Sequence, residues 1–343
     1  MNGGSRAAVA AAFALASLAG PARAQAPSYH VVKTYTLGGE GGWDYLALDT
    51  ARNRLFIARQ DRDMVVDPAT GRVLDSVPGL DRAHGIAFDY ATGHGFATSG
   101  EDSTVTMFDL KTLRVLRRTH VAEDDDGILF DPATGRIFTE NGDAGTAAAL
   151  DGRSGRLLGT VDLGGKPEFG VSGGNGRVFI NLVDKSEIVE VDARRLRVVR
   201  RWSLAPCKGP SGLAIDVAHQ RLFSGCHSGV MAISDGRAGK LITTVPIGQG
   251  VDACRYDAGT HLAFASTGDG NITVIREFAP DSFAVQQNVA TKRGARTMEL
   301  DPRTHTLYTV TADFGPEPPA TPGQRFRRPP ILPGTFSLMV LEP

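Results

Sequence analysis

Apolar and polar positions follow a fixed rhythm along this chain. In Gly127–Phe138 (GILFDPATGRIF) a short apolar run, a turn and a second apolar run follow one another. The turn chemistry is explicit. Asp131 can accept from the backbone two residues on, Pro132 sets φ at the first central position, and Gly135 tolerates a left-handed conformation. Flanking β-branched and aromatic residues make the segment a hairpin. Near-copies occur at Leu46–Phe56, Ile86–Phe96, Val171–Phe179, Leu213–Phe223, Cys254–Phe264 and Met298–Tyr308. The residues that close each first strand, Asp49, Asp89, Asp131, Ser172, Asp216, Asp257 and Asp301, are spaced by 40, 42, 41, 44, 41 and 44 residues. A period of this length marks a repeat architecture.

Each unit has room for four strands. After the first hairpin comes an alternating strand that ends in Asp, then a turn and a fourth strand, as in Thr104–Asp109 before Arg114–Arg118 and Glu187–Asp192 before Arg197–Trp202. The hexapeptide Asp67–Arg72 repeats Asp131–Arg136 at an unlike hairpin, so it is local turn geometry and not a binding motif. The pattern predicts an all-β fold, a seven-bladed β-propeller of four-stranded blades. The last unit lacks a fourth strand, and His30–Leu37 can supply it. The propeller is then closed by strands from both termini, which leaves no open sheet edge.

The first residues read differently. Arg6, the apolar run Ala7–Ala19 and Ala22-Arg23-Ala24 describe a signal peptide over residues 1–24, with residues 25–343 as one propeller domain. The expected location is therefore periplasmic or secreted. Without Arg6 and Arg23 the chain carries 35 basic against 38 acidic side chains, near −3. That balance offers no basic field for nucleic acid, and no later apolar run is long enough for membrane insertion. A monomer is expected. In an oxidising compartment two of the three cysteines should pair. Cys207 precedes the first strand of its unit and Cys226 ends the second, so antiparallel pairing brings them to one rim. Cys254 sits within a strand as a small buried residue.

The repeats and longer stretches resemble the YncE-like, YVTN-type β-propellers of bacterial envelopes. Those stretches are Gly42-Trp-Asp-Tyr45, Lys166-Pro-Glu-Phe169, Leu204-Ala-Pro-Cys207, Gly225-Cys-His227, Gly250-Val-Asp-Ala253, Gly294-Ala-Arg-Thr-Met298 and Ile331-Leu-Pro-Gly-Thr-Phe336. The resemblance implies an exported propeller, and such a fold hosts unrelated roles.

Chemistry should sit where each first strand enters the channel. Counting back five residues from the repeated Asp gives Asp44, His84, Asp126, Ser211, Asp252 and Arg296, and in the fourth unit it lands on Pro167, with Glu168 beside it. These, with Glu168 for Pro167, are the expected ligand-binding residues. Asp44, Asp126, Glu168 and Asp252 are candidate metal ligands, and an oxygen-rich set suits Ca²⁺, Mg²⁺ or Mn²⁺. His84, Asp126 and Arg296 are the candidates should there be catalysis. Two readings of the ring stand: polar residues that hold blade to blade, or a site for a metal ion, a small molecule or an envelope-protein partner. A metal-dependent hydrolase or lyase similar to lactonase-type propellers is the alternative. Trp43 and Tyr45 read as packing, and His94, His261 and His305 as exposed turn residues on the far face. The Pro-rich insertion, residues 315–334, carries Arg325, Arg327 and Arg328 and leaves from the face of the ring.

Overall fold

The computed structural model describes Met1 and residues 27–279, 281–318 and 329–343. The expected signal peptide and Arg325, Arg327 and Arg328 lie outside these residues. Among the described residues there are strands and turns but no α-helix, and no helix long and apolar enough to cross a membrane.

The strands form a β-propeller, and their pairing corrects the expected blade count. Counted as sheets, the propeller has six blades rather than seven, five of four strands and one of six. The first two repeat units share the larger sheet. Arg54–Val66 and Val73–Asp89 are long strands that bend in their middles, where Gln60 and Arg82 take φ of 50° and 57°. The pair Gln60↔Ala83 carries the ladder from the outer strands of the first unit into the inner strand of the second. Sequence period marks repeat units, whereas a sheet is bounded by where hydrogen bonding stops, and here it does not stop between two units.

The strands nearest the two ends of the chain meet as expected. His30–Thr36 pairs with Ser337–Glu342, which continues through Thr306–Thr311 to the inner strand Met298–Asp301. Each inner strand packs on the next, and Met298–Asp301 packs on Leu46–Asp49 to complete the circle.

The core lies between sheets. The third residue of six second strands, Phe56, Phe96, Phe138, Phe179, Phe223 and Phe264, is fully buried, with Tyr308 in the remaining copy. Burying each such ring stabilises the fold by about 1.5–3 kcal/mol. The turns follow the predicted chemistry. Gly135 has a φ of 66°, and the Oδ1 of Asp89, Asp216, Asp257 and Asp301 accepts the backbone N–H two residues on at 2.9–3.0 Å. Asp131 departs from this: its carboxylate takes Thr134 Oγ1 at 2.6 Å and Ser172 Oγ at 2.6 Å. Two turn histidines are not simply exposed. His305 Nδ1 lies 2.6 Å from Asp257 Oδ2 of the neighbouring sheet, and His94 Nδ1 lies 3.1 Å from Gly152 O. His261 is exposed. The Cys207–Cys226 disulfide is present with a Cα–Cα distance of 5.8 Å, and Cys254 is a buried free thiol.

Candidate functional site

Asp44, His84, Asp126, Glu168, Asp252 and Arg296 line one cavity of about 750 Å³ at the strand-entry face. This is the size range of small-molecule sites. The strand-entry count reaches five of these, and Glu168 stands one residue past the counted Pro167, because every repeat delivers its inner strand to the same ring. Ser211 does not line the cavity. It is fully buried, and its Oγ donates to Glu168 Oε1 at 3.5 Å.

Five of the six form a chain of alternating charge. Asp126 Oδ1 lies 2.9 Å from His84 Nδ1, and the same nitrogen makes a short contact with Asp44 Oδ2. Asp44 Oδ1 meets Arg296 Nη2 at 3.5 Å, and Arg296 Nε meets Asp252 Oδ2 at 3.2 Å. The order is carboxylate, imidazole, carboxylate, guanidinium, carboxylate, one residue from each of five consecutive repeat units and across the closure of the ring. Glu168 stands between Asp126 and Asp252 on the other side of the ring.

The electrostatics follow from that order. Burial alone would lower the His84 pKa, but hydrogen bonds to Asp126 and Asp44 outweigh it and push it up to about 10. The imidazole is therefore a cation at neutral pH. Its other nitrogen, Nε2, is buried beside Gly100 without a hydrogen-bond partner. Burial, reinforced by the charges of Asp126 and Asp252, raises Glu168 to about 8, so this carboxyl is largely protonated at pH 7. Among the described residues no cation stands within ion-pair distance of Glu168, and Lys166 acts on it only at longer range. The rim adds Asp81, Glu101 and Arg82, which leaves the cavity lining net acidic.

The expected four-carboxylate metal set does not assemble. Asp44, His84 and Asp126 have ligand-type atoms within 4.8 Å of one another, and these three could hold an ion. Glu168 and Asp252 fall outside that group. An imidazole at its centre departs from an all-oxygen set and favours borderline metals over Ca²⁺.

Below the mouth the channel is filled. Tyr45 stands edge-on to Phe169, with ring centroids 5.0 Å apart, and Arg255 lies over Phe169 at 5.7 Å. Arg255 is bidentate to Glu299, at 3.0 and 3.1 Å. Trp43 packs on Phe314 and Phe336, and Trp43 and Tyr45 also line the cavity. The legs of the insertion are tied near Trp43 by Gly315 N to Pro330 O and Leu332 N to Asp313 O. Sequence reasoning missed Arg255, Glu299 and the buried acids Asp63 and Glu140. None of these falls on the strand-entry position. A charged residue amid an apolar strand, as in Ile137-Phe-Thr-Glu140, was the available signal.

No family model matches this chain, and no curated protein sequence matches it. Solved structures do share its fold. The structure described as U3-55K superposes with a TM-score of 0.74 at 9% identity, over 91% of this chain and 99% of that one. The RRP9 WD40-repeat structure gives 0.73 at 10% identity, over 93% and 99%. At such identities the likeness establishes the architecture alone: the protein is a β-propeller.

Proposed function

We propose that the protein is an exported, YncE-like binding propeller whose mouth takes a small cationic ligand. One observation carries this reading. Glu168 enters a cavity that Asp44, Asp126 and Asp252 also line, and burial together with the Asp126 and Asp252 charges holds it protonated there. A positive group placed beside Glu168 would let it ionise, so binding would release a proton near neutral pH. The acidic lining also favours attraction of cations from solution. Propellers commonly present one face to a protein, so an envelope partner that offers a lysine or arginine would use the same chemistry.

A second reading has its own support in the closeness of Asp44, His84 and Asp126. A divalent ion held there would polarise a substrate carbonyl, as in a metal-dependent hydrolase or lyase, and Arg296 would take an anionic group. Zn²⁺ and Mn²⁺ are the ions to try first because of the imidazole, followed by Mg²⁺ and Ca²⁺.

Elemental analysis and thermal shift with EDTA separate the two readings: bound metal and a lowered melting temperature would favour the second. For the first, a series of primary and quaternary amines and divalent salts should raise the melting temperature. The double change Asp126→Asn with Asp252→Asn should abolish that rise. Amine-induced stabilisation that survives the double change would overturn the assignment to this mouth.

A further inference from the structure

The fifth residue of each second strand sits where neighbouring inner strands meet, and in three units it is a hydrogen-bond donor with a shared task. Thr98 Oγ1 donates to Asp126 O at 2.8 Å, and Asn181 Nδ2 donates to Ser211 O at 2.8 Å. Ser266 Oγ donates to Arg296 O. The acceptor is each time the backbone carbonyl of the residue that enters the following unit's inner strand, which is a residue of the ring. In the unit between Thr98 and Asn181 the same position holds Glu140, and the carbonyl that corresponds is that of Glu168.

The surroundings are shaped for this carboxyl. Glu140 is fully buried, and neither of its oxygens meets a hydrogen-bond partner on another residue. Two glycines make its room. A Cβ on Gly170 would stand 2.3 Å from Oε1, and one on Gly127 would stand 2.5 Å from Oε2 and 3.1 Å from Glu168 O. The acid and the carbonyl thus border the same small space. A carboxylate there would bury a charge without a partner and could donate nothing, while a carboxylic acid supplies the O–H that Thr98, Asn181 and Ser266 supply elsewhere.

We propose that Glu140 is a positioning residue of the mouth, a neutral carboxylic acid that donates to Glu168 O and so sets the direction in which the Glu168 side chain enters the cavity. Burial, together with the Asp126 charge, holds the Glu140 pKa well above the ordinary carboxyl range, which agrees with this role. The inference rests on Glu168 as the group a ligand meets. Its test uses no ligand, so either reading can fail alone.

The experiment is carbon-13 NMR of the full chain labelled at the glutamate carboxyls, with resonances assigned by Glu140→Gln and Glu168→Gln. The Glu140 signal should keep the shift of a protonated acid from pH 5 to 8. Glu140→Gln, which keeps a donor, should leave the Glu168 titration midpoint in place, and Glu140→Leu, which has none, should move it. The leucine variant should melt roughly 2–4 °C lower than the glutamine variant, the shift expected for one unsatisfied carbonyl. An ionised Glu140 at pH 7, a Glu168 midpoint indifferent to leucine, or melting temperatures raised in both variants would overturn the proposal. If the leucine variant does not fold, the protonation state of Glu140 and the effect of Glu140→Gln still decide it.

Discussion

At the turn face, Asp89, Asp216, Asp257 and Asp301 all do one thing: each is buried and accepts the N–H two residues further on. At the opposite face, the corresponding positions of the same hairpins hold aspartate, histidine, glutamate, serine and arginine. The turn aspartates each close their own hairpin, and Asp257 in addition takes His305 of the neighbouring sheet. The mouth residues are satisfied by one another, across sheets, and incompletely. A hairpin needs the same acceptor wherever it occurs, so its chemistry repeats. A ring of strand entries need not be identical to hold the fold, so its variation is free to serve a ligand.

The largest test of this contrast strikes what both faces depend on. Phe138→Ala should cost about 3–5 kcal/mol in urea unfolding, the cost of emptying a core aromatic site. A turn aspartate comes next. Asp257→Ala removes the acceptor for Gly259 N, Thr260 Oγ1 and His305 Nδ1. It should cost about 2 kcal/mol without changing how the mouth responds to amines. A loss confined to ligand response would break the division between the faces.

The mouth should reveal itself through pH. Folding raises His84 from 6.5 to about 10, so its contribution is complete below pH 6.5 and is lost as pH rises through 10. Glu168, raised from 4.5 to about 8, acts in the same direction, complete below pH 4.5 and lost through 8. The melting temperature should therefore fall as pH rises from about 5 to 10. Glu168→Gln should flatten the lower part of that fall and His84→Gln the upper part, and a profile unchanged in both would refute the charge assignment. The smallest expected effect on stability is that of Asp252→Asn. It keeps a hydrogen-bond acceptor for Arg296, and should reduce binding of a cationic probe while moving the melting temperature by a degree or two.

Much of this protein was legible because repetition amplifies weak signals. One hairpin with a turn of this kind is ambiguous, but seven related hairpins at intervals of 40 to 44 residues name a propeller and point to the entry positions. The same local rule placed Cys207 and Cys226 at one rim. The blade count was not legible, because continuity of a ladder across Gln60↔Ala83 is a relation between two strands, and no residue marks it. Nor was Ser211's retreat behind Glu168, since the count along a strand gives a position but not which side chain reaches the cavity first.

The sequence by itself determined the hairpin, its turn chemistry, the buried aromatic of each second strand and the list of residues brought to the mouth. These depend on neighbours within a dozen positions, where backbone geometry and hydrophobic period act directly. Only the tertiary structure decided how the charges pair. His84 lies between Asp44 and Asp126, Arg296 between Asp44 and Asp252, and among the described residues no cation pairs with Glu168. Residues 40 to 250 positions apart are brought within hydrogen-bond reach by ring closure, and whether each acid keeps its proton follows from those distances and from burial.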